Sequence, residues 1–231
     1  EQLRHRMPPI LKALKERSLR GRTPVEGLRR TECAYHGWDT VHADAASWEP
    51  FAPGDAFGGL EAHHCFKGTV TLPEASAGKR VVCLVSTGAS DIWNNNNPQF
   101  LAYVDGRLVC GLDVNHNEFD LAACAVPGES HELALYVYCN TPARDVFLRV
   151  ETAERDDDVT GLYYDLRAPY EVCALLADDD TRAIGIMKHL NRALNLLDLR
   201  DLDSGAFAQS VRDAREYLRT EFYDGFCGRT D

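Results

Sequence analysis

The sequence lacks any Cys-x-x-Cys pair and any apolar run near the roughly eighteen residues that span a bilayer, and it is short of basic charge. Each absence excludes something. Without close spacing, the eight cysteines at 33, 65, 83, 110, 124, 139, 173 and 227 do not form the ligand pattern of a structural zinc site. Several lie in strand-like apolar runs such as Val82-Cys83-Leu84 and Val137-Tyr138-Cys139, which reads as buried free thiols in a reducing compartment. A chain this long needs no disulfide framework to fold. Charged residues also stand where a secretory apolar stretch would lie, so the expectation is a soluble, cytoplasmic protein with no membrane partner. Lys and Arg total 25 against 36 Asp and Glu, and the formal charge of -11 repels a phosphate backbone, which argues against nucleic acid as a partner. The acidity is uneven: residues 1–32 hold nine basic and four acidic side chains, either a solvated lead-in or a patch that docks on something acidic. A Gly-x-Ser-x-Gly elbow is missing, and Phe57-Gly58-Gly59 has neither the strand before it nor the helix after it that a phosphate-cradling loop requires.

What is present is enough apolar residue, 45%, to bury a core. A short N-terminal helix is expected, with Pro8 and Pro9 in its first turn and Ile10, Leu11 and Leu14 on one edge, followed by a loop over 21–31. From Trp38 to Tyr164 the periodicity is that of strands. Phe66, Val70 and Leu72 share one face of a strand, and Lys67, Thr69 and Thr71 the other. Residues 80–85 are continuous enough for a buried strand, and Asp105-Gly106 between two apolar runs predicts a type I′ hairpin. Further strands are expected at 118–122, 132–139 and 146–151, which together give an antiparallel sandwich. After Arg167 the period becomes that of helices. One has Ile186, Leu190, Leu194 and Leu197 in register behind Asp178, Asp179, Asp180 and Thr181; the other has Phe207, Val211, Ala214, Leu218 and Phe222 behind Ser204 as N-cap. The expected organisation is a helix and basic lead-in over 1–35, a sandwich over 36–166 and helices over 167–231.

Chemistry-bearing clusters are few. His63 and His64 point to opposite faces if they lie on a strand and cannot share an ion, so they read as surface histidines at a strand edge; His42 and Asp44 offer only two ligands. No metal site and no catalytic residue is assigned. Asp156-Asp157-Asp158 reads as a solvated turn. The stretch from Gly111 to Glu118 is dense in hydrogen-bonding side chains, and Asp113, Asn115, His116 and Glu118 are candidates for the rim of a sugar site or an interface. The competing reading is a turn in which Asp113 and Asn115 satisfy their own backbone. Trp93, beside Asn94 to Asn97, is a candidate for stacking on a sugar ring.

Taken together, Trp48-Glu49-Pro50-Phe51, Gly54-Asp55-Ala56-Phe57-Gly58-Gly59, the run from Phe66 to Pro73, Gly78-Lys79-Arg80-Val81-Val82, Tyr103-Val104-Asp105-Gly106, Gly111-Leu112-Asp113, Asn115-His116 and the run from Asn195 to Asp201 resemble the N-terminal region of the bacterial and cytosolic type of glycoside hydrolase family 38 α-mannosidase. The resemblance covers roughly residues 45–227. It implies a mainly β fold, a jelly-roll-like antiparallel β-sandwich followed by a small α-helical segment that leads to a catalytic domain. It also implies zinc, a nucleophile and a general acid in that other domain, for retaining hydrolysis of α-mannosides. The family's His-x-His-x-Asp-x-x-Trp zinc signature is absent here. His42, Asp44 and Trp48 come near it, but Thr40 stands where the first His belongs and one residue too many precedes the Trp. The residues in hand are therefore expected to be inactive alone and to bind no cofactor. The implied partners are the catalytic domain of the same chain, a second subunit and mannosides. Two roles stay open: a portion that supports packing and the cleft rim, or a module that binds sugar independently.

Overall fold

The computed structural model describes residues 2–88, 98–177 and 179–228, with backbone only for Gln2 and residues 141–145. The chain divides into two compact units, Glu1–Arg20 with Asp156–Asp231, and Gly21–Arg155.

The second unit is a sandwich of two antiparallel sheets. Its strands are β1 (Leu19–Pro24), β2 (Leu28–Cys33), β3 (Glu49–Phe51), β4 (Ala56–Thr71), β5 (Arg80–Ser86), β6 (Gln99–Val104), β7 (Arg107–Leu112), β8 (Glu118–Ala122), β9 (Ser130–Phe147) and β10 (Arg149–Arg155). One sheet runs β1-β10-β5-β8 and the other β3-β2-β4-β9-β6-β7. The alternation along β9 shows how the sequence chooses faces. Leu133, Leu135, Val137 and Cys139 enter the core between the sheets, where Phe57, Phe66, Phe100, Val81, Cys83 and Val150 meet them. Ala134 and Tyr136 join a smaller cluster on the other face. In the β6–β7 hairpin, Asp105 and Gly106 have φ of 51° and 74°, the pair of positive values that a type I′ turn demands.

The first unit is helical. It contains α1 (Gln2–Arg17), α2 (Asp157–Cys173), α3 (Thr181–Leu196), α4 (Gly205–Tyr217) and a π-helical continuation over Leu218–Cys227. Leu14, Leu162, Leu166, Leu190, Phe207, Val211 and Leu218 are among the residues of its core. The Asp180 carboxylate accepts from Arg182 N at 2.8 Å, and Ser204 Oγ accepts from Phe207 N at 3.1 Å, so both helix starts are capped by the residues whose chemistry suits the position.

Five expectations are corrected. Residues 21–31 are largely strand rather than loop: β1 is almost wholly exposed and too polar to show a period, yet it pairs at a sheet edge. Pro8 and Pro9 lie in the middle of α1 rather than its first turn. Pro8 has no N–H for the Arg4 carbonyl, and the Tyr170 hydroxyl donates to that carbonyl at 3.5 Å instead. Asp156 to Asp158 are not a solvated turn, and the strand period does not reach Tyr164. Asp156 caps α2 by accepting from Val159 N at 3.1 Å, with Asp157 and Asp158 in the first turn, where the helix dipole favours them. Finally, His63 and His64 are buried, at 8% and 0% exposure, because β4 is an interior strand between β2 and β9.

Candidate functional site

The outer face of the six-stranded sheet carries a cluster of polar and aromatic side chains. Strand register sets it out in cross-strand rows. Cys33 is opposite His63, His63 opposite Tyr138, and Tyr138 opposite Gln99. In the next row Thr31, Cys65, Tyr136, Leu101 and Gly111 follow one another across five strands. A third row runs Arg29, Lys67, Ala134, Tyr103 and Leu108.

The segment between β2 and β3 lies across part of this face. It contains a 3-10 turn over Gly37–His42, and its Val41 and Trp48 pack with Cys65, Tyr103, Ala134 and Tyr136. Strand cations hold it down. Lys67 Nζ donates to Ala43 O at 2.8 Å, and Arg29 Nη1 donates to Trp48 O at 2.9 Å. The buried Lys67 ammonium and the partly buried Arg29 guanidinium thereby gain carbonyl acceptors, and Lys67 also pairs with Glu132 at 3.2 Å. The hollow of about 630 Å³ beside Arg29, His42, Asp44, Lys67 and Glu132 is thus lined in part by groups already engaged in holding the backbone. His42 and Asp44 are near each other there, and Asp44 itself accepts from Ala46 N at 3.0 Å, closing a turn.

At the other end of the face aromatic rings gather. Tyr35 is 72% exposed and Trp38 41%. Trp38 stands edge-on to Tyr136 at 6.4 Å, Tyr35 edge-on to His63 at 5.4 Å, and His63 lies 5.1 Å from Tyr138 between ring centroids. The Tyr136 hydroxyl and His63 Nδ1 are 2.7 Å apart. Burial lowers the His63 pKa below its ordinary value, with His36 adding to the effect and Glu61 opposing it, so the ring is neutral at pH 7. Adjoining these rings is a groove of about 450 Å³ lined by Gln99, Leu101, Asp113, His116, Tyr136 and Tyr138, among others. Gly111, opposite Leu101, leaves room in its floor because it has no side chain.

The residues singled out from sequence separate here. Asp113 and His116 line the groove, whereas Asn115 is exposed beside it. Asp113 Oδ1 accepts from His116 N at 2.7 Å and Asn115 N at 2.8 Å, which holds its carboxyl below the usual carboxylate range. The self-satisfied turn and the groove wall are therefore one structure. Glu118 belongs elsewhere, since it is on β8 in the other sheet and pairs with Arg155. Trp93 and Asn94 to Asn97 lie outside the described residues. Tyr35, Trp38, Tyr138 and Gln99 were not singled out from sequence; the density of rings in Tyr35-His36-Gly37-Trp38, just after a strand, was the signal available.

As for metals, His63 points outward to Tyr136 while His64 Nε2 meets Gly58 O at 3.0 Å on the core side, so the two do not converge. Among the described residues no group of three or more His, Cys, Asp or Glu is arranged to hold an ion. No described helix is long and apolar enough to cross a membrane.

No family model and no curated protein matches the chain. Among solved structures, the β-glucuronidase from Ruminococcus gnavus in complex with D-glucuronic acid is similar over 60% of this chain and 30% of its own, at 9% identity and a TM-score of 0.45. The Bacteroides uniformis β-glucuronidase is similar over 58% of this chain and 18% of its own, at 11% identity and a TM-score of 0.42. The chain spans less than a third of either protein, and the likeness is a distant one to part of bacterial β-glucuronidases.

Proposed function

We propose that this chain is a non-catalytic β-sandwich portion of an α-mannosidase-type glycosidase, and that the groove on its outer sheet face is a sugar-contacting surface. The α-mannosidase part rests on the sequence resemblance alone. The observation that carries the surface is the conjunction of rings and hydrogen-bonding groups around one groove: Tyr136 and Tyr138 with Gln99, Asp113 and His116, and Trp38 against Tyr136. A pyranose presents an apolar C–H face and a rim of hydroxyls, and such a surface offers stacking to the first and donors or acceptors to the second. Uncharged sugar suits it better than an anion, because Asp113 is the charged group in the wall and is held ionised by backbone N–H groups.

The reaction of such a protein would be zinc-dependent and retaining, with its zinc ligands, nucleophile and general acid supplied by another domain of the same protein. Among the described residues no group of three or more His, Cys, Asp or Glu is arranged to hold that metal, and no catalytic step is assigned to them.

Titration of the chain with methyl α-mannoside and α-mannobiose, followed by residue-resolved NMR, tests the reading. Saturable shifts at Tyr138, Gln99 and His116 with a Kd near millimolar or better are expected. Tyr138→Ala and Gly111→Leu should each weaken binding at least tenfold, the first by removing a ring and the second by filling the floor. Absence of saturable shifts in the groove would overturn it. A rise in α-mannosidase turnover on adding zinc to this chain would overturn the non-catalytic assignment.

A further inference from the structure

We propose that Cys33 and Cys65 form a reversible dithiol–disulfide site on the outer sheet face, oxidised by low-molecular-weight disulfides of the glutathione type. The two are on neighbouring strands, Cys33 opposite His63 and Cys65 opposite Thr31, and this diagonal puts their Sγ atoms 3.7 Å apart. All eight cysteines are free, and this is the pair of sulfurs in contact. A disulfide requires Sγ atoms about 2.05 Å apart, so closing the bond across this diagonal takes χ1 rotation together with an approach of the two strands.

The two thiols differ in the way that a stepwise exchange needs. Cys33 is half-buried and accessible from solvent, whereas Cys65 is fully buried beneath Val41, Trp48 and Tyr136. The contact between the two sulfurs lowers the Cys33 pKa, while the same contact and burial raise that of Cys65. Burial alone moves Cys83 and Cys139 the other way, up to about 12. The accessible sulfur is thus the better nucleophile and the buried one the resolving group.

The exchange balances. The Cys33 thiolate attacks one sulfur of the small disulfide, and a new S–S bond forms as the old one breaks and one small thiolate leaves. Cys65 then gives its proton to that thiolate and attacks the Cys33 sulfur, forming the intramolecular bond and expelling the second small thiol. Two protein thiols are oxidised and one small disulfide is reduced to two thiols. The bond would pin β2 to β4 where the covering segment leaves the sheet, next to Gly37, on which an added Cβ would meet Cys33 Cβ at 3.3 Å.

The test is incubation of the full chain with oxidised glutathione, alkylation of the remaining thiols, and peptide mapping under non-reducing conditions. The expected product is a monomer that has lost two hydrogen atoms, with Cys33 linked to Cys65, restored by dithiothreitol and melting higher than the reduced form. In Cys65→Ser a glutathione adduct should persist on Cys33, and in Cys33→Ser the Cys65 thiol should stay unmodified. Retention of both thiols by the wild-type chain, a stable adduct on its Cys33, or a crosslink through Cys124 or Cys227 in its place would each overturn the proposal. The wild-type mapping stands even if a variant fails to fold.

Discussion

His63 and His189 share an arrangement in the two units, an imidazole whose Nδ1 meets a tyrosine hydroxyl, at 2.7 Å from Tyr136 and 2.8 Å from Tyr217. Burial lowers both pKa values, and the cations Arg192 and Lys188 add to the effect at His189. The sign follows from linkage. Below about pH 6.5 the unfolded chain takes up protons that these folded rings take up only at lower pH. Stability is therefore expected to fall as pH drops from about 7.5 through that range, before the carboxylates titrate. Urea midpoints across the range, with imidazole shifts assigned by NMR, check this: both rings should titrate below about 6.5, and His63→Asn should flatten the slope. At this scale the sequence was partly legible. The division of His63 and His64 to opposite faces followed from the period of a strand, but their burial did not, because burial depends on β2 and β9 flanking β4. Trp38 and Tyr35 escaped notice because they lie in an irregular segment with no period to read.

Element boundaries were clearest where one side chain does one local job. Ser204 caps α4, and Ser204→Ala should cost about 1 kcal/mol, measured as a shift in the denaturation midpoint of the chain. The hairpin at Asp105-Gly106 makes a sharper case. A Cβ on Gly106 would have its nearest neighbour, His42 Nδ1, at 3.7 Å, so there is space for it; the obstacle is the φ of 74°. Gly106→Ala should accordingly cost about 1–2 kcal/mol through backbone conformation alone, with little change at neighbouring side chains in NMR spectra. Strands β5, β6, β7 and β8 were legible for the same reason, that apolar runs bounded by turn residues specify them locally. The edges were not. β1 and β2 are Arg-rich and pair with neighbours that only the folded sheet supplies, and α2 was masked because its Asp-rich start reads equally as a turn or as a cap with acidic first-turn residues.

At the scale of the whole chain, sequence showed a change of period from strand to helix, but not that Gln2–Arg17 belongs with the later helices. Membership of a core is a long-range property: Met7, Ile10 and Leu14 pack with Leu162, Leu190 and Phe207, which lie far along the chain. The sandwich core and the helical core are separate clusters, and each contains its own buried thiols. Cys83 and Cys139 lie in the first and Cys173 in the second. These sulfurs are built-in reporters, since alkylation requires the surrounding core to open and burial keeps each one protonated until then. Leu190 and Leu135 are both fully buried, so truncation of either leaves a cavity and should cost about 2–5 kcal/mol. Leu190→Ala is expected to speed alkylation of Cys173 and leave Cys83 and Cys139 near their wild-type rates, while Leu135→Ala does the reverse. Equal acceleration of all three thiols in both variants would mean that the cores open together, and the division into two units would then describe geometry without describing cooperativity.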